Sequence, residues 1–174
     1  YNNSSQKLSL LSTPLAYMGF SGYLNPLTNE AQVNKHNPVN SMPMTLAHEQ
    51  AHQMGYAAEN EANFIGFLVC VNNENLYFKY SGYTFALRYC LNEVYRRNPK
   101  VFEELKIQIH PGILRDFEER RLHWAQYNNP LEPLFKRIYS GFLKVNAQEK
   151  GIESYSYVVG LIVGHFQNSS NIKD

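Results

Sequence analysis

The stretch "TLAHEQAHQMGYAAENEANFIGF" (Thr45–Phe67) contains two histidines four residues apart, with a glutamate directly after the first. Residues 48–52, "HEQAH", fit the pattern H-E-x-x-H. Residues i and i+4 share one face of a helix, so the imidazoles of His48 and His52 can reach a single ion. Glu49 is offset beside them, where it can accept a proton from a water on the metal rather than bind the metal itself. The pattern therefore indicates a candidate metal site on a helix.

The residues that follow the motif predict a turn and a third ligand. Gly55 stands where a helix can end in a left-handed conformation, after which the chain can reverse. Glu59 opens the next helical stretch and shares a face with Asn63 and Gly66. Because glycine has no side chain, Gly66 would let the two helices approach. Glu59 is therefore placed to supply a third metal ligand, and Asn63 to orient a ligand histidine. The alternative is that Glu59 and Glu61 are only first-turn acids, favoured there by the helix dipole.

The rest of the chain predicts a single, mostly helical α+β domain over residues 1–174. Residues 1–42 are rich in Asn, Ser, Pro and Gly, and contain a strand-like run at Ala16–Leu24, a turn and a second short run, "AQVN". This part predicts a small N-terminal sheet. After Pro43, the apolar spacing and the Gly, Pro and Asn breaks predict helices over 43–54, 59–72, 76–97, 99–107, 112–126, 131–148 and 152–167.

Composition excludes some classes of function. The net charge is +1 and no run of Lys or Arg occurs, so we expect no nucleic-acid partner. The charged run at Phe117–Trp124 predicts a solvated helix face. The two cysteines, Cys70 and Cys90, lie in apolar runs without metal-binding spacing and are expected to be reduced core residues. No stretch is apolar enough to span a bilayer, and the absence of an initiating Met suggests a piece of a longer protein.

The stretch "HEQAHQMGYAAENEANFIGF" resembles the zincin clan of metallopeptidases, specifically a family of bacterial membrane-anchored proteins with a C-terminal soluble HExxH domain. The resemblance extends to "GFSGYLNPLTNEAQVN", "FKYSGYTFALRY" and "LKVNAQEKGIESYSYVV". Glu59-x-x-x-Asn63 also resembles the E-x-x-x-D/N element of some zincins, in which the acid is a ligand. In those relatives the acid usually lies much further from the motif, so coordination by Glu59 requires a tight turn at Gly55.

This resemblance implies a zincin-like fold with an HExxH active-site helix and one Zn²⁺ per chain. The zinc would be held by His48, His52 and Glu59, with Glu49 as the general base. The partner would be a peptide or protein substrate, and the strand-like run near 16–24 could pair with it. The resemblance also implies attachment to the cell membrane through segments absent from this chain. It places Tyr155 as the donor to the oxyanion, with Tyr157 as the second choice; the alternative is that both are packing tyrosines.

Three functional hypotheses follow. The first is a zinc-dependent metallopeptidase that hydrolyses peptide bonds. The second is a non-catalytic, zinc-stabilised helical module that binds a partner, and the third is a helical domain without zinc. The intact Glu49 favours the first, because a structural zinc site has no need of a base.

Overall fold

The computed structural model describes residues 5–25, 27–130, 134, 137 and 155–171. Its strands are β1 (Gln6–Leu8), β2 (Gly22–Asn25) and β3 (Glu30–Val33). Its helices are α1 (Ser12–Tyr17), α2 (Met42–Gln53), α3 (Glu59–Val71), α4 (Leu76–Arg97), α5 (Pro99–Lys106), α6 (Pro111–Ala125) and α7 (Tyr155–Asn171). A short 3₁₀ turn at Val39–Ser41 leads into α2. The predicted α+β class, mostly helical with a small sheet near the N-terminus, is confirmed.

The sheet has the order β1-β3-β2, with β3 in the centre. β3 runs parallel to β1 and antiparallel to β2, so that Gln32 lies opposite both Lys7 and Tyr23. Ala31 and Val33 of β3 are buried, because β2 and β3 pack on α2. Among the described residues, β2 has no strand partner on its outer side. The outer edge of β2 is therefore unpaired in the described part of the sheet, and β2 packs on the HExxH helix.

The core lies between α2, α3, α4 and α7. It contains Met44, Ala47, Phe67, Cys70, Ala86, Val158 and Ile162. Gly66 allows α3 to lie against α2, since a Cβ added at Gly66 would stand 3.0 Å from the backbone nitrogen of His48. The hydroxyl of Ser81 in α4 accepts a hydrogen bond from the N–H of Met44 at 3.1 Å, in the first turn of α2. These contacts fix the position of the helix that carries the two histidines.

Most of the predicted helices agree with the structure to within one or two residues at each end. The helix predicted at 131–148 lies almost wholly outside the described residues. Both cysteines are free, with Cys70 buried and Cys90 half-buried, as expected. None of the described helices combines the length and the apolar character that a bilayer-spanning segment needs.

The single strand predicted at Ala16–Leu24 is wrong. Its first two residues end α1, and only Gly22–Leu24 belong to a strand, β2. The helix ends because Gly19 adopts φ +79° and donates its N–H to the carbonyl of Ala16, which turns the chain before β2 starts. The mixture of apolar and small residues resembles strand alternation, but this glycine divides it into two elements.

Candidate metal centre

His48 and His52 lie one turn apart on α2, and their rings point into the same space. Their Nε2 atoms are 3.1 Å apart, and the ring planes are nearly perpendicular, at 86°. Both side chains are largely buried, with 15% of each exposed. Because the two Nε2 atoms face each other, a single cation can lie between them.

The turn after α2 brings Glu59 to the histidines. Gly55 adopts φ +103°, and the N–H of Tyr56 donates to the carbonyl of Ala51 at 3.1 Å, which closes the helix end. The chain reverses and α3 begins at Glu59. The carboxylate oxygens of Glu59 lie 3.4 Å from Nε2 of His48 and 3.7 Å from Nε2 of His52. The tight turn predicted at Gly55 is therefore confirmed.

Glu59 and Glu61 differ in the way that the helical spacing predicts. Glu59 is only 8% exposed and faces the histidines, whereas Glu61 lies on the solvent side of α3. The residues are two apart, so their side chains point about 200° apart on a helix. The helix dipole favours an acid at either position, but it does not explain why one of the two is buried between imidazoles.

The donor atoms of His48, His52 and Glu59 all lie within 4.8 Å of one another. Ligand atoms in tetrahedral positions about 2.0–2.1 Å from zinc are themselves about 3.3 Å apart. The closest separations here, 3.1, 3.4 and 3.7 Å, bracket that value. Two imidazoles and one carboxylate are also a donor set found in catalytic zinc sites. These three residues can therefore hold a zinc ion with little rearrangement.

A backbone carbonyl behind His52 directs the free nitrogen of that ring toward the cluster. The Nδ1–H of His52 donates to the carbonyl of Tyr56 at 2.7 Å, and since a carbonyl only accepts, Nδ1 must carry the proton. In the neutral ring, Nε2 of His52 then presents its lone pair to the cluster. Nδ1 of His48 and Nδ2 of Asn63 are both buried without a hydrogen-bond partner of ordinary geometry among the described residues. Asn63 nevertheless contributes to the raised pKa of His48, and its role in orienting that ring stays a prediction.

The electrostatics of the cluster favour a cation. Burial lowers the pKa of His48, but Glu59, Glu49 and Asn63 outweigh it, so that its pKa lies above the ordinary value. The pKa of His52 is lowered, first by burial and then by the neighbouring His48. One positive charge is thus favoured between the rings and a second is opposed. The same field that stabilises a proton on His48 would stabilise a metal ion bound by both rings.

Glu49 lies beside the cluster but outside the group of three donors. It is 4% exposed, and burial raises its pKa to about 7, with Glu59 adding to the rise and His48 opposing it. Gly22 of β2 packs directly on this side chain, since a Cβ added at Gly22 would stand 2.6 Å from Oε1 of Glu49. A buried carboxyl group with a pKa near neutrality has the properties of a general base.

The two tyrosines named from the sequence both belong to α7. Tyr155 is the first residue of α7, and its side chain lies outside the described residues. Tyr157 follows in α7 and is 46% exposed. Neither assignment as an oxyanion donor is tested. His165, in the same helix, packs its ring against Phe64 and Phe67.

Sequence reasoning missed a cavity of about 280 Å³ that adjoins the cluster. Part of its lining comes from His48, Glu59 and Asn63. Another part comes from two residues of α4, Arg88 and Tyr89, and two residues of α6, Asp116 and Arg120. The predicted solvated face at Phe117–Trp124 is therefore wrong for Arg120, which is half-buried. A local charge pattern could not reveal this, because the cavity forms only when helices distant in sequence pack together.

Comparison with known proteins finds a match to a family model. A family model described as "Protein of unknown function (DUF3810)" matches residues 1–163. No curated protein and no solved structure matches the chain. Because the matched segment covers almost the whole sequence, the chain belongs to the DUF3810 family.

Proposed function

We propose that this protein is a zinc-dependent metallopeptidase with a zincin-like active site. The observation that supports it most is the convergence of His48, His52 and Glu59 from two helices, with Glu49 buried beside them. The intervening turn at Gly55 has the conformation that this arrangement requires. One Zn²⁺ per chain would be held by the two Nε2 atoms and the Glu59 carboxylate. That ligand set leaves a coordination position open, as in catalytic rather than structural sites.

Bound zinc would supply Lewis acidity, which makes a water nucleophilic at neutral pH and polarises the scissile carbonyl. Glu49 would accept the proton of the attacking water and later donate it to the leaving amine. Its raised pKa suits both steps, since the group must gain and lose a proton near neutral pH. His52 is held for its task by the Tyr56 carbonyl, and Asn63, which contributes to the raised pKa of His48, would orient His48.

The unpaired edge of β2 is the proposed place for the substrate backbone. An extended peptide can add to a free sheet edge through main-chain hydrogen bonds. Gly22, on this strand, contacts Glu49 directly, so a peptide on the edge would lie next to the base. Tyr155, as the oxyanion donor, and membrane attachment through segments outside this chain are further parts of the proposal that rest on the zincin resemblance alone.

Gly22→Ala should lower peptidase activity by about 10²-fold, because a small displacement of a catalytic group has effects of this size. The new methyl group would overlap with Glu49, whose Cγ and Cδ lie within 2.8 and 2.9 Å of the added Cβ position. Bound zinc should be retained, since none of the three ligands is touched. The measurement is kcat/KM together with zinc content, with Gly164→Ala as control because a Cβ there meets nothing within 4 Å. Full activity in Gly22→Ala would show that the position of Glu49 does not matter.

The proposed activity is tested by incubating the zinc-loaded chain with a mixed peptide library and identifying new termini by mass spectrometry. Cleavage should stop when zinc is removed with a chelator and return when zinc is restored. Zinc content is measured in the same samples. If zinc is bound but no peptide is cleaved, the peptidase proposal fails and the non-catalytic zinc-stabilised binding module is left. If no zinc is bound at all, both are excluded in favour of a helical domain without metal.

A further inference from the structure

The cavity beside the candidate metal centre contains two arginines with unusual surroundings. Arg88 of α4 and Arg120 of α6 both line it, and both are half-buried. The guanidinium carbon of Arg88 lies 4.7 Å from the ring centre of Tyr89 and 6.0 Å from that of Phe85. These rings hold the guanidinium group without neutralising it.

Neither guanidinium group has a carboxylate within ion-pair distance among the described residues. The exposed arginines of the same two helices behave differently, since each is paired with a glutamate: Arg96 and Arg97 with Glu93, Arg115 with Glu119, and Arg121 with Glu118. This reverses the usual pattern, in which buried charges are paired and exposed charges need no partner.

In the described part of the chain, Asp116 is the one acidic residue other than Glu59 that lines the cavity, and it forms no ion pair with either arginine. Its carboxylate accepts a hydrogen bond from the hydroxyl of Tyr80. It stands four residues before Arg120 on α6, yet the two side chains form no ion pair. Glu59, the other carboxylate, faces His48 and His52.

The two arginines also repel each other. Burial, and then the charge of Arg88, lowers the pKa of Arg120 to about 10. An anion placed between them would relieve this repulsion, and a guanidinium group matches a carboxylate with two parallel hydrogen bonds. Tyr89 connects this part of the cavity to the metal centre. Burial raises its pKa, Arg88 and Arg120 lower it, and Glu59 raises it, so its hydroxyl is within electrostatic reach of both sites.

We infer that Arg88 and Arg120 form a subsite that binds a carboxylate of the peptide substrate while the scissile bond lies at the metal centre. This rests on the proposed function, which makes the ligand a peptide. The carboxylate is either the C-terminal carboxylate or the side chain of an acidic residue near the cleaved bond. Both sources have the chemistry that the arginine pair recognises.

The subsite is tested with matched probes that bind zinc through a hydroxamate. Succinate, glutarate and adipate monohydroxamates carry a carboxylate at increasing distance, and their terminal amides are neutral counterparts. On the zinc-loaded chain, calorimetry should show at least one carboxylate probe binding about tenfold or more tightly than its amide, the scale of charge-assisted hydrogen bonds. Arg120→Gln and Arg88→Gln should reduce this ratio toward one and leave amide binding unchanged. Arg115→Gln, an exposed arginine on the same helix, should keep it.

The two proposals fail in different ways in this experiment. Amide probes that bind with no carboxylate preference at any length would overturn the subsite and leave the metal centre intact. Absence of zinc and of amide binding would overturn the metal centre instead. In that case the subsite is tested on the chelator-treated chain by thermal unfolding. Glutarate should raise Tm more than glutaramide does, and equal shifts in Tm would overturn the subsite. For peptides that are cleaved, C-terminal amidation removes one source of the carboxylate, and replacement of Glu by Gln in the peptide removes the other. A cleavage rate that neither change lowers would contradict the inference.

Discussion

Glu49→Gln should lower kcat/KM for peptide cleavage by at least about 10²-fold, the scale of a positioned general base. Glutamine keeps the size of the side chain and part of its hydrogen bonding, but it cannot accept the proton of the attacking water. Zinc content should stay at one per chain, because Glu49 is outside the group of three donors. Tm should not fall, since burial already disfavours the Glu49 carboxylate and raises its pKa to about 7.

The matched control for this variant is Glu61→Gln, which removes a nearby carboxylate that is exposed to solvent. It should retain full activity. Equal activity of Glu49→Gln and the wild type would contradict the mechanism, whatever the zinc content. A loss of activity accompanied by a loss of zinc would instead show that Glu49 holds the metal, and the roles of Glu49 and Glu59 would have to be reassigned.

Glu59→Ala should lose both zinc and activity, whereas Glu61→Ala should lose neither. Removing a hydrogen-bonded partner of a metal ligand typically weakens binding by about 10–100-fold, and loss of the ligand itself should cost more. Glu59 is buried against His48 and His52, and Glu61 is not. The measurement is zinc affinity of the two purified variants by competition with a chromogenic chelator.

The same pair of variants also separates a ligand from a first-turn acid. If Glu59 only stabilised the start of α3 through the helix dipole, its removal would lower Tm by a small amount and leave zinc affinity unchanged. Zinc retained in Glu59→Ala but lost in Glu61→Ala would reverse the assignment.

The parts of the fold that were predictable have strong local signals. Asn98 ends α4 and caps α5, because its side-chain oxygen accepts hydrogen bonds from the backbone N–H groups of Lys100 and Val101, and Pro99 occupies the first turn. His110 precedes Pro111 and accepts a hydrogen bond from Gly112 at the start of α6. Such residues determine helix ends through hydrogen bonds to their near neighbours in the sequence. Strand β1 was missed because its three residues are exposed and carry no alternation of apolar side chains.

The candidate site shows the same division between local and long-range information. His48, Glu49 and His52 are related by helical spacing alone, and Gly55 brings Glu59 back within a few residues. The carbonyl of Tyr56, four residues after His52, orients that ring through the backbone path of the same turn. Two features depend instead on packing between distant segments. Gly22 reaches Glu49 from the sheet, and the arginine pair assembles from α4 and α6. No single-sequence pattern records these contacts.

The claim on which the account depends is that one zinc ion is held by His48, His52 and Glu59. Anomalous diffraction at the zinc absorption edge, from crystals of the purified chain grown with zinc, tests it most directly. We expect one strong peak per chain, about 2.0–2.2 Å from Nε2 of each histidine and from a carboxylate oxygen of Glu59. A map with no peak between these residues, or with zinc bound only elsewhere on the surface, would contradict it.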